Sequence, residues 1–346
     1  MATTEVLTTD AGSPANAAGE VLLVVGVWRS GTSLLYALLN QHPQISLMYE
    51  GELALLWPLF RWRGAKQWTE RWELWNRAIS RHRLDVTKFS PDIRDLETAC
   101  DAAYRVVAGP KHARFRGEKF PSYHDSLPEL AQLFPRAKFV LIWRSPLGIC
   151  DSIARSGRTS PWNRKFGVLH RALMGCEQMI LGARQLRASG VRVQELSYNQ
   201  LTADTEGELR KICWFLEIEY TPAMTDLSAA DRSAIYPSEH HNMVRGDRIL
   251  PGSRVSEALD SKFQRKVERY LARWRRIYGE GWFDDPGGSP RSEESSEEPS
   301  GVELVWDRIF YRALRAYDFA VIVAFCFVPI ELWKRYRTFK AAHRAS

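Results

Sequence analysis

The stretch Val21-Leu22-Leu23-Val24-Val25-Gly26-Val27-Trp28-Arg29-Ser30-Gly31-Thr32-Ser33 decides the fold. Its first five residues are all apolar, which is typical of a strand buried on both faces of a parallel sheet. The glycine turn leads directly into a helical pattern of leucines that ends at His42-Pro43. Strand, turn and helix in this order predict the first half of a βαβ unit.

The glycine turn has the chemistry of an anion-binding loop. Its two glycines, Gly26 and Gly31, are spaced as in the phosphate-binding pattern GxxxxGK[ST], but Thr32 stands in the lysine position and Arg29 supplies the base. At a helix N-terminus, an anion would be bound by the backbone N–H groups of Ser30, Gly31, Thr32 and Ser33. The alternative is a glycine turn and helix cap that bind no ligand.

A second buried-strand pattern, Ala137–Trp143, also runs into a basic turn that begins at Arg144. A nucleoside triphosphatase would need a carboxylate at this strand end to hold magnesium. Arg144 replaces that acid, and no metal-ligand spacing occurs in the chain. The two strand ends therefore favour a ligand with two phosphate groups and no bound metal.

The remaining patterns alternate between helix and strand. Strands are predicted at Gly117–Phe120 and Arg192–Leu196, and helices at Asp92–Val107, Leu127–Phe134, Phe166–Ala188, Asp204–Leu216 and Ser256–Tyr278. This alternation predicts an α/β fold, a three-layer sandwich with a central parallel sheet and a P-loop-like nucleotide site. The tryptophans of residues 51–80 are interpreted as helix packing or as an aromatic wall for an acceptor.

The 346 residues carry a net charge of +7, which is distributed unevenly. Residues 1–20 carry −3, 284–300 carry −5 and 301–346 carry +4, which leaves +11 for 21–283. Composition predicts a disordered tail at 1–19, a folded domain at 20–283, a flexible acidic linker at 284–301 and an amphipathic helical segment at 302–346. The basic core favours an anionic ligand.

The five cysteines are widely spaced and form no CxxC pair, which argues against both a zinc ribbon and a disulfide framework. No apolar leader precedes the first strand. We therefore expect reduced thiols and a cytoplasmic location, with the cytoplasmic face of a membrane as one possibility.

Three segments together resemble the PAPS-dependent sulfotransferases, in the branch of the glycan O-sulfotransferases and tyrosylprotein sulfotransferases. Gly-x-x-Arg-Ser-Gly-Thr-Ser-Leu-Leu, from Gly26, resembles the loop for the 5′-phosphosulfate. Arg144, followed by Pro146 and Ser152, resembles the motif for the 3′-phosphate. Tyr198-Asn199-Gln200-Leu201 is similar to the family's Tyr-Glu-Asp-Leu segment.

The resemblance implies that PAPS is the cofactor and that no metal is required. It assigns the 5′-phosphosulfate to the loop residues Arg29, Ser30, Gly31, Thr32 and Ser33. It assigns the 3′-phosphate to Arg144 and Ser152, and it places Tyr198 near the adenine or the 3′-phosphate. Arg248 would contact a phosphate from a closing loop, although Asp247 departs from the family's usual Gly-Asn pair.

The resemblance also implies a glutamate as the general base, a few residues after the His-Pro pair. Glu50 stands at the matching distance, 21 residues after Arg29, and Glu52 is the alternative. Both are also interpretable as exposed carboxylates at a helix start. Lys119 is a candidate charge partner for the sulfuryl group or the acceptor.

The expected acceptor is a hydroxyl of a carbohydrate or a glycolipid, and a peptide tyrosine is less expected because the chain shows no secretory signal. One alternative class is a nucleotide or small-molecule kinase. Another is a membrane-associated protein that keeps the nucleotide fold without activity. No nucleic-acid-binding pattern is present in the sequence.

The segment 302–346 contains an uncharged stretch, Phe319–Ile330, between two groups of basic residues. As a helix, its twelve residues span about 18 Å, short of the ~30 Å hydrocarbon core of a bilayer. Aromatic and basic residues on both sides predict an interfacial membrane contact. The alternatives are a helix that docks on the core or on a partner, and a short membrane span.

Overall fold

The computed structural model describes residues 19–79, 94–108, 111, 113–157, 165–235, 244, 246, 249, 258–279, 298–333 and 335. A five-stranded sheet lies at its centre, in the order β2-β3-β1-β4-β5, with every neighbouring pair parallel. The strands are β1 Glu20–Val25, β2 Ile45–Tyr49, β3 Phe115–Lys119, β4 Lys138–Trp143 and β5 Val193–Ser197. The predicted α/β class with a parallel sheet is confirmed.

Helices cover both faces of the sheet. They are α1 Thr32–Leu39, α2 Trp57–Ile79, α3 Leu96–Ala108, α4 Leu127–Leu133, α5 Pro146–Ser156, α6 Val168–Ala188, α7 Tyr198–Ala203, α8 Thr205–Leu216, α9 Ser261–Tyr278 and α10 Gly301–Phe327. One hydrophobic cluster packs α1, α7 and α8 on one face of the sheet, and another packs α2 to α6, α9 and α10 on the other. The result is the expected three-layer sandwich.

The sequence patterns missed β2 and the short helix α7. In β2, Ser46 interrupts the apolar run and the strand has only five residues, so its pattern is too short to separate a strand from a loop. The strand exists because its backbone pairs with β3, from Ile45 opposite Phe115 to Tyr49 opposite Lys119. This omission matters because Glu50 directly follows β2.

The tryptophan-rich region forms α2, which bends at Gly64, where φ is +72°. Trp68 is buried in the core, as the packing interpretation predicted. Trp57 and Trp62 are nearly half exposed, and their rings lie 6.2 Å from Phe319 and 5.5 Å from Phe327. These two tryptophans therefore contact α10.

Helix α10 packs on the rest of the fold partly through polar and ionic contacts. The Asp307 carboxylate accepts a hydrogen bond from Tyr270 at 2.7 Å and pairs with Lys266 at 2.7 Å. Tyr311 donates a hydrogen bond to Asp125, which follows β3. Docking on the core, one of the alternatives for the C-terminal segment, thus describes the inner face of this helix.

Much of the predicted tail and linker lies outside the described residues, as do 336–346. Within the described part of the chain, no helix is both long enough and apolar enough to cross a membrane.

Candidate functional site

Every strand of the sheet leads into a residue of the candidate site. Strand β1 leads into the loop that carries Arg29, and β3 ends at Lys119. Glu50, Arg144 and Tyr198 directly follow β2, β4 and β5. In a parallel sheet the carboxyl ends of all strands lie on one edge, and β1, between β3 and β4, marks the point where the chain changes direction across the sheet. The predicted residues therefore meet at a single edge.

The glycine loop is shaped to receive an anion. Gly31 precedes the first residue of α1 and has φ +101°, and the first N–H groups of a helix have no partner within the helix. The Ser30 hydroxyl is buried without a hydrogen-bond partner in the described part of the chain. The Ser30 N–H differs from the expectation, because it donates to the Val27 carbonyl at 3.0 Å and closes the turn.

Replacing Gly31 with alanine is expected to abolish binding of a nucleotide bisphosphate and to destabilise the fold. A Cβ on Gly31 would lie 2.3 Å from the Tyr198 ring, and its φ of +101° is strained for any residue with a side chain. Gly190→Ala is the matched control, because its φ is +71° but nothing lies within 4 Å of an added Cβ.

Thermal unfolding with and without adenosine 3′,5′-bisphosphate measures both effects. Gly190→Ala should lose about 1–2 kcal/mol of stability from backbone strain alone and should bind normally. Equal losses in the two variants would contradict the role of the close approach between Gly31 and Tyr198.

Two guanidinium groups meet beside the loop. Arg29 Nε donates to Ser152 Oγ at 3.1 Å, and Arg144 Nη1 donates to the Arg29 carbonyl at 2.8 Å. The Arg144 guanidinium lies 4.4 Å from the centre of the Tyr198 ring. Burial, and next the charge of Arg144, lower the pKa of Arg29 to about 10. A bound anion would relieve this repulsion between like charges.

A partly buried ion pair lies on the other side of the loop. Lys119 is fully buried, and its Nζ lies 2.6 Å from Glu50 Oε1 and 3.2 Å from Ser33 Oγ. Burial lowers the pKa of Lys119, and the carboxylate of Glu50 opposes this shift. The Glu50 side chain is 27% exposed, so it faces the buried lysine and solvent at once. The carboxylate is thus accessible to an incoming acceptor.

Glu118 holds the backbone of the segment that follows β2 in place. The sequence patterns did not single out this residue. Its Oε1 accepts the Glu52 N–H at 2.5 Å, and its Oε2 accepts the Tyr123 hydroxyl at 2.7 Å. Glu50 and Glu52 both have positive φ, +50° and +59°, which this anchoring maintains. A polar Glu-Lys pair at the end of a buried strand is the sequence signal that could have pointed to Glu118.

Stability should fall as pH rises through the titration of Glu118. Burial raises the pKa of its carboxyl from 4.5 to about 7. Above pH 4.5 the unfolded chain releases this proton while the folded chain retains it, so the penalty grows from about pH 4.5 and is complete above about pH 7. One pKa unit corresponds to about 1.4 kcal/mol, so the group changes the free energy of unfolding by a few kcal/mol.

Glu118→Gln should flatten this dependence, because glutamine keeps an oxygen for the Glu52 N–H and does not titrate. Chemical denaturation of the wild-type chain and of Glu118→Gln between pH 4.5 and pH 8 measures how the free energy of unfolding depends on pH. An unchanged slope in the variant would assign the dependence to other groups.

Two histidines close to the site, His42 and His124, are both buried. His42 is structural, since Nε2 lies 2.7 Å from the Glu219 carbonyl oxygen and Nδ1 accepts the Gln44 N–H. His124 is buried, and its ring meets the Trp28 ring edge-on at 5.4 Å. Arg248 and Asp247 lie outside the described residues.

The site has the donors for a nucleotide that carries two phosphate groups. Arg29, Arg144 and the unpaired Ser30 hydroxyl supply cationic and neutral donors beside the start of α1. No group of residues suited to a metal ion occurs in the described ranges. The donor set fits the anionic groups of PAPS.

The chain is similar in sequence to proteins described as protein-tyrosine sulfotransferases. The chain is 24% identical over 218 residues to protein-tyrosine sulfotransferase 1 of Danio rerio, covering 59% of this chain and 55% of that protein. It is 25% identical over 253 residues to a putative protein-tyrosine sulfotransferase of Caenorhabditis briggsae, covering 70% and 79%. The match thus spans about half the length of the Danio rerio relative.

Two of the solved structures that match part of the chain are described as follows. The sulfotransferase domain of the curacin biosynthetic pathway matches with TM-score 0.46 and 14% identity, over 73% of this chain and 98% of that domain. Mouse sulfotransferase SULT7A1, complexed with PAP, matches with TM-score 0.43 and 14% identity, over 75% and 85%.

The family model described as "Sulfotransferase family" matches residues 22–222, which is more than half of the chain. This range contains the glycine loop, Glu50, Lys119, Arg144 and Tyr198. The chain belongs to the sulfotransferase family, in which it resembles the tyrosylprotein branch.

Proposed function

We propose that the chain transfers the sulfuryl group of PAPS to a hydroxyl of an acceptor, with Glu50 as the general base and release of PAP. One observation carries this proposal: the Glu50–Lys119 pair and the Arg29–Arg144 pair flank the same glycine loop. A proton acceptor and a cationic phosphate site therefore lie on either side of one helix N-terminus. The transfer needs both of these elements.

The phosphate side is formed by the loop and the two arginines. Arg29, Ser30 and the first N–H groups of α1 would hold the 5′-phosphosulfate, while Arg144 and Ser152 would hold the 3′-phosphate. When bound, PAPS supplies the sulfuryl group and a phosphate leaving group. Arg29 would then stabilise negative charge on the leaving oxygen, which is why it serves both binding and turnover.

The acceptor side is formed by Glu50 and Lys119. Glu50 would take the proton of the acceptor hydroxyl, since its carboxylate is partly exposed while Lys119 is fully buried. Lys119 holds the carboxylate in place and also contacts Ser33, so the position of the base is tied to the loop. Glu52 is the alternative base, but its backbone N–H is bound to Glu118.

Two acceptor classes follow from different observations. The sequence predicts a carbohydrate or glycolipid hydroxyl, whereas the relatives are named protein-tyrosine sulfotransferases. The phenol of a peptide tyrosine is the second candidate on that ground. A panel of acidic tyrosine peptides, glycans and glycolipids, incubated with the chain and labelled PAPS, separates them by which product carries the label.

Binding tests the proposal independently of the acceptor. PAP without magnesium should raise the unfolding temperature, and Mg-ATP should not, because no carboxylate follows β4. The reverse result would favour a kinase, and no response to either nucleotide would favour a protein that keeps only the fold.

Cytoplasmic location and membrane contact by residues 302–346 stay predictions. A vesicle flotation assay with anionic lipids tests the second of them.

A further inference from the structure

Helix α10 has two apolar faces. Its inner face packs on the core through Leu304, Tyr311 and Phe325, all of which are buried. Its outer face also consists of apolar residues, most of which are exposed, although the Phe327 ring at its end lies 5.5 Å from the Trp62 ring and 5.0 Å from the Arg63 guanidinium of α2. A helix that is apolar on both faces normally has a partner on each of them.

The outer face has a regular spacing of alternating four and three residues, here called the outer seam. It begins with Val302, Trp306 and Ile309, continues through three alanines and ends with Val323 and Phe327. Val302, Trp306, Ile309 and Phe327 are 68%, 65%, 51% and 53% exposed. A four-three repeat of apolar residues is the pattern of a helix that pairs with another helix. No charged residue of α10 falls on the seam.

The middle of the seam is narrow. Ala313, Ala316 and Ala320 are all exposed, and small residues permit close approach of two helix backbones. Alanine adds little to insertion into lipid, because it offers little apolar surface. The seam is thus better shaped for a second helix than for a bilayer surface.

The seam is self-complementary when it is reversed. Around a centre between Ala313 and Ala316, a reversed copy places Val302 opposite Phe327 and Trp306 opposite Val323. It also places Ile309 opposite Ala320, so that large side chains face smaller ones. A surface that matches its own reversed copy is what a two-fold symmetric dimer requires.

We propose that the outer seam of α10 pairs antiparallel with the same seam of a second copy of this chain. The flanking charges agree with this arrangement. Arg312, beside the seam, would face Tyr317 of the partner subunit as a cation–π pair. Asp318 and Arg315 pair within their own chain, with Arg171 and Asp125, on the side of α10 away from the seam, so they bring no like charges together across it.

The state of association of the full chain tests the pairing. In sedimentation equilibrium at micromolar concentration, the wild-type chain should have twice the mass of one chain. Trp306→Glu should have the mass of one chain, because it places a charge on the seam. Trp214→Glu is the matched control, an 82% exposed tryptophan on α8, and it should remain dimeric.

Cross-linking tests the direction of pairing. In the antiparallel pair, residues 309 and 320 of the two copies lie at the same level, and two copies of residue 309 lie about 16 Å apart along the axis. A mixture of Ile309→Cys and Ala320→Cys chains should therefore form disulfide-linked dimers, whereas Ile309→Cys alone should not. The native cysteines are buried, so their background is low.

Several results would overturn the proposal. A wild-type chain that stays monomeric at all concentrations excludes the pairing, and if that monomer binds anionic vesicles while Trp306→Glu does not, lipid covers the seam. Self-linking of Ile309→Cys would overturn the antiparallel direction. Loss of dimer in Trp214→Glu would place the interface elsewhere.

Discussion

Glu50→Gln is expected to lower the turnover of sulfuryl transfer by about 10²- to 10⁴-fold, which is the usual contribution of a general base. Glutamine has nearly the same shape and keeps an oxygen that accepts the Lys119 hydrogen bond of 2.6 Å. Binding of PAP should therefore remain close to that of the wild-type chain. Single-turnover transfer at saturating PAPS measures the loss, and calorimetric titration with PAP measures the binding.

Glu52→Gln is the matched control for this prediction. Glu52 has the same unusual backbone conformation, with φ +59° against +50° for Glu50, but its N–H is held by Glu118, whereas it is the Glu50 carboxylate that pairs with Lys119. Its variant should retain most of the activity. If Glu52→Gln loses turnover and Glu50→Gln does not, the base is Glu52.

Much of the site was predictable because each contributor follows a strand. Patterns of buried strands ending at Val25 and Trp143 placed the glycine loop and Arg144 on one edge of the sheet. The close approach of these groups, such as Arg144 to the Arg29 carbonyl, then follows from parallel pairing of β1 and β4. For these residues, the buried-strand patterns and the rule that parallel strands end at one edge of the sheet were sufficient to predict the site.

The contacts below Glu50 were not predictable, because they depend on pairing between distant segments. Strand β2 has too short a pattern, and its neighbour in the sheet lies some 70 residues later in the chain. Glu118 therefore meets the Glu52 N–H only after β2 and β3 have paired. The family resemblance identified Glu50 by its distance along the chain from Arg29. The contacts of Lys119 with Glu50 and of Glu118 with Glu52, by contrast, form only when β2 and β3 pair in the sheet.

The C-terminal segment illustrates the same limit in another way. Its apolar stretch and basic flanks predicted an interfacial membrane contact. In the structure, however, the inner face of α10 packs on the core of the fold. Of the two residues that make that contact, Asp307 carried no signal in the sequence, and Tyr311 was one of the aromatic residues that predicted the membrane contact. Their partners, Tyr270 and Asp125, come from distant parts of the chain.

Arg29→Met is expected to weaken PAP binding about 10- to 100-fold, because hydrogen bonds to a charged group contribute about 1.5–3 kcal/mol. Turnover at saturating PAPS should fall by a further 10²- to 10³-fold, as on removal of a donor to developing negative charge. The fold should persist, because methionine fills similar volume and removes a buried positive charge, whose pKa is lowered by burial and next by the charge of Arg144. Titration with PAP and single-turnover transfer separate the two effects.

Two further variants sharpen this prediction. Arg29→Lys keeps the positive charge but loses the fork that reaches Ser152, so it should recover part of the binding and less of the turnover. Arg210→Met removes an exposed arginine that pairs only with Glu206 among described acids, and it should behave as wild type. If Arg29→Met retains more than a tenth of wild-type turnover, the charge that stabilises the leaving oxygen comes from another residue, with Lys119 the first candidate because it is 3.2 Å from Ser33.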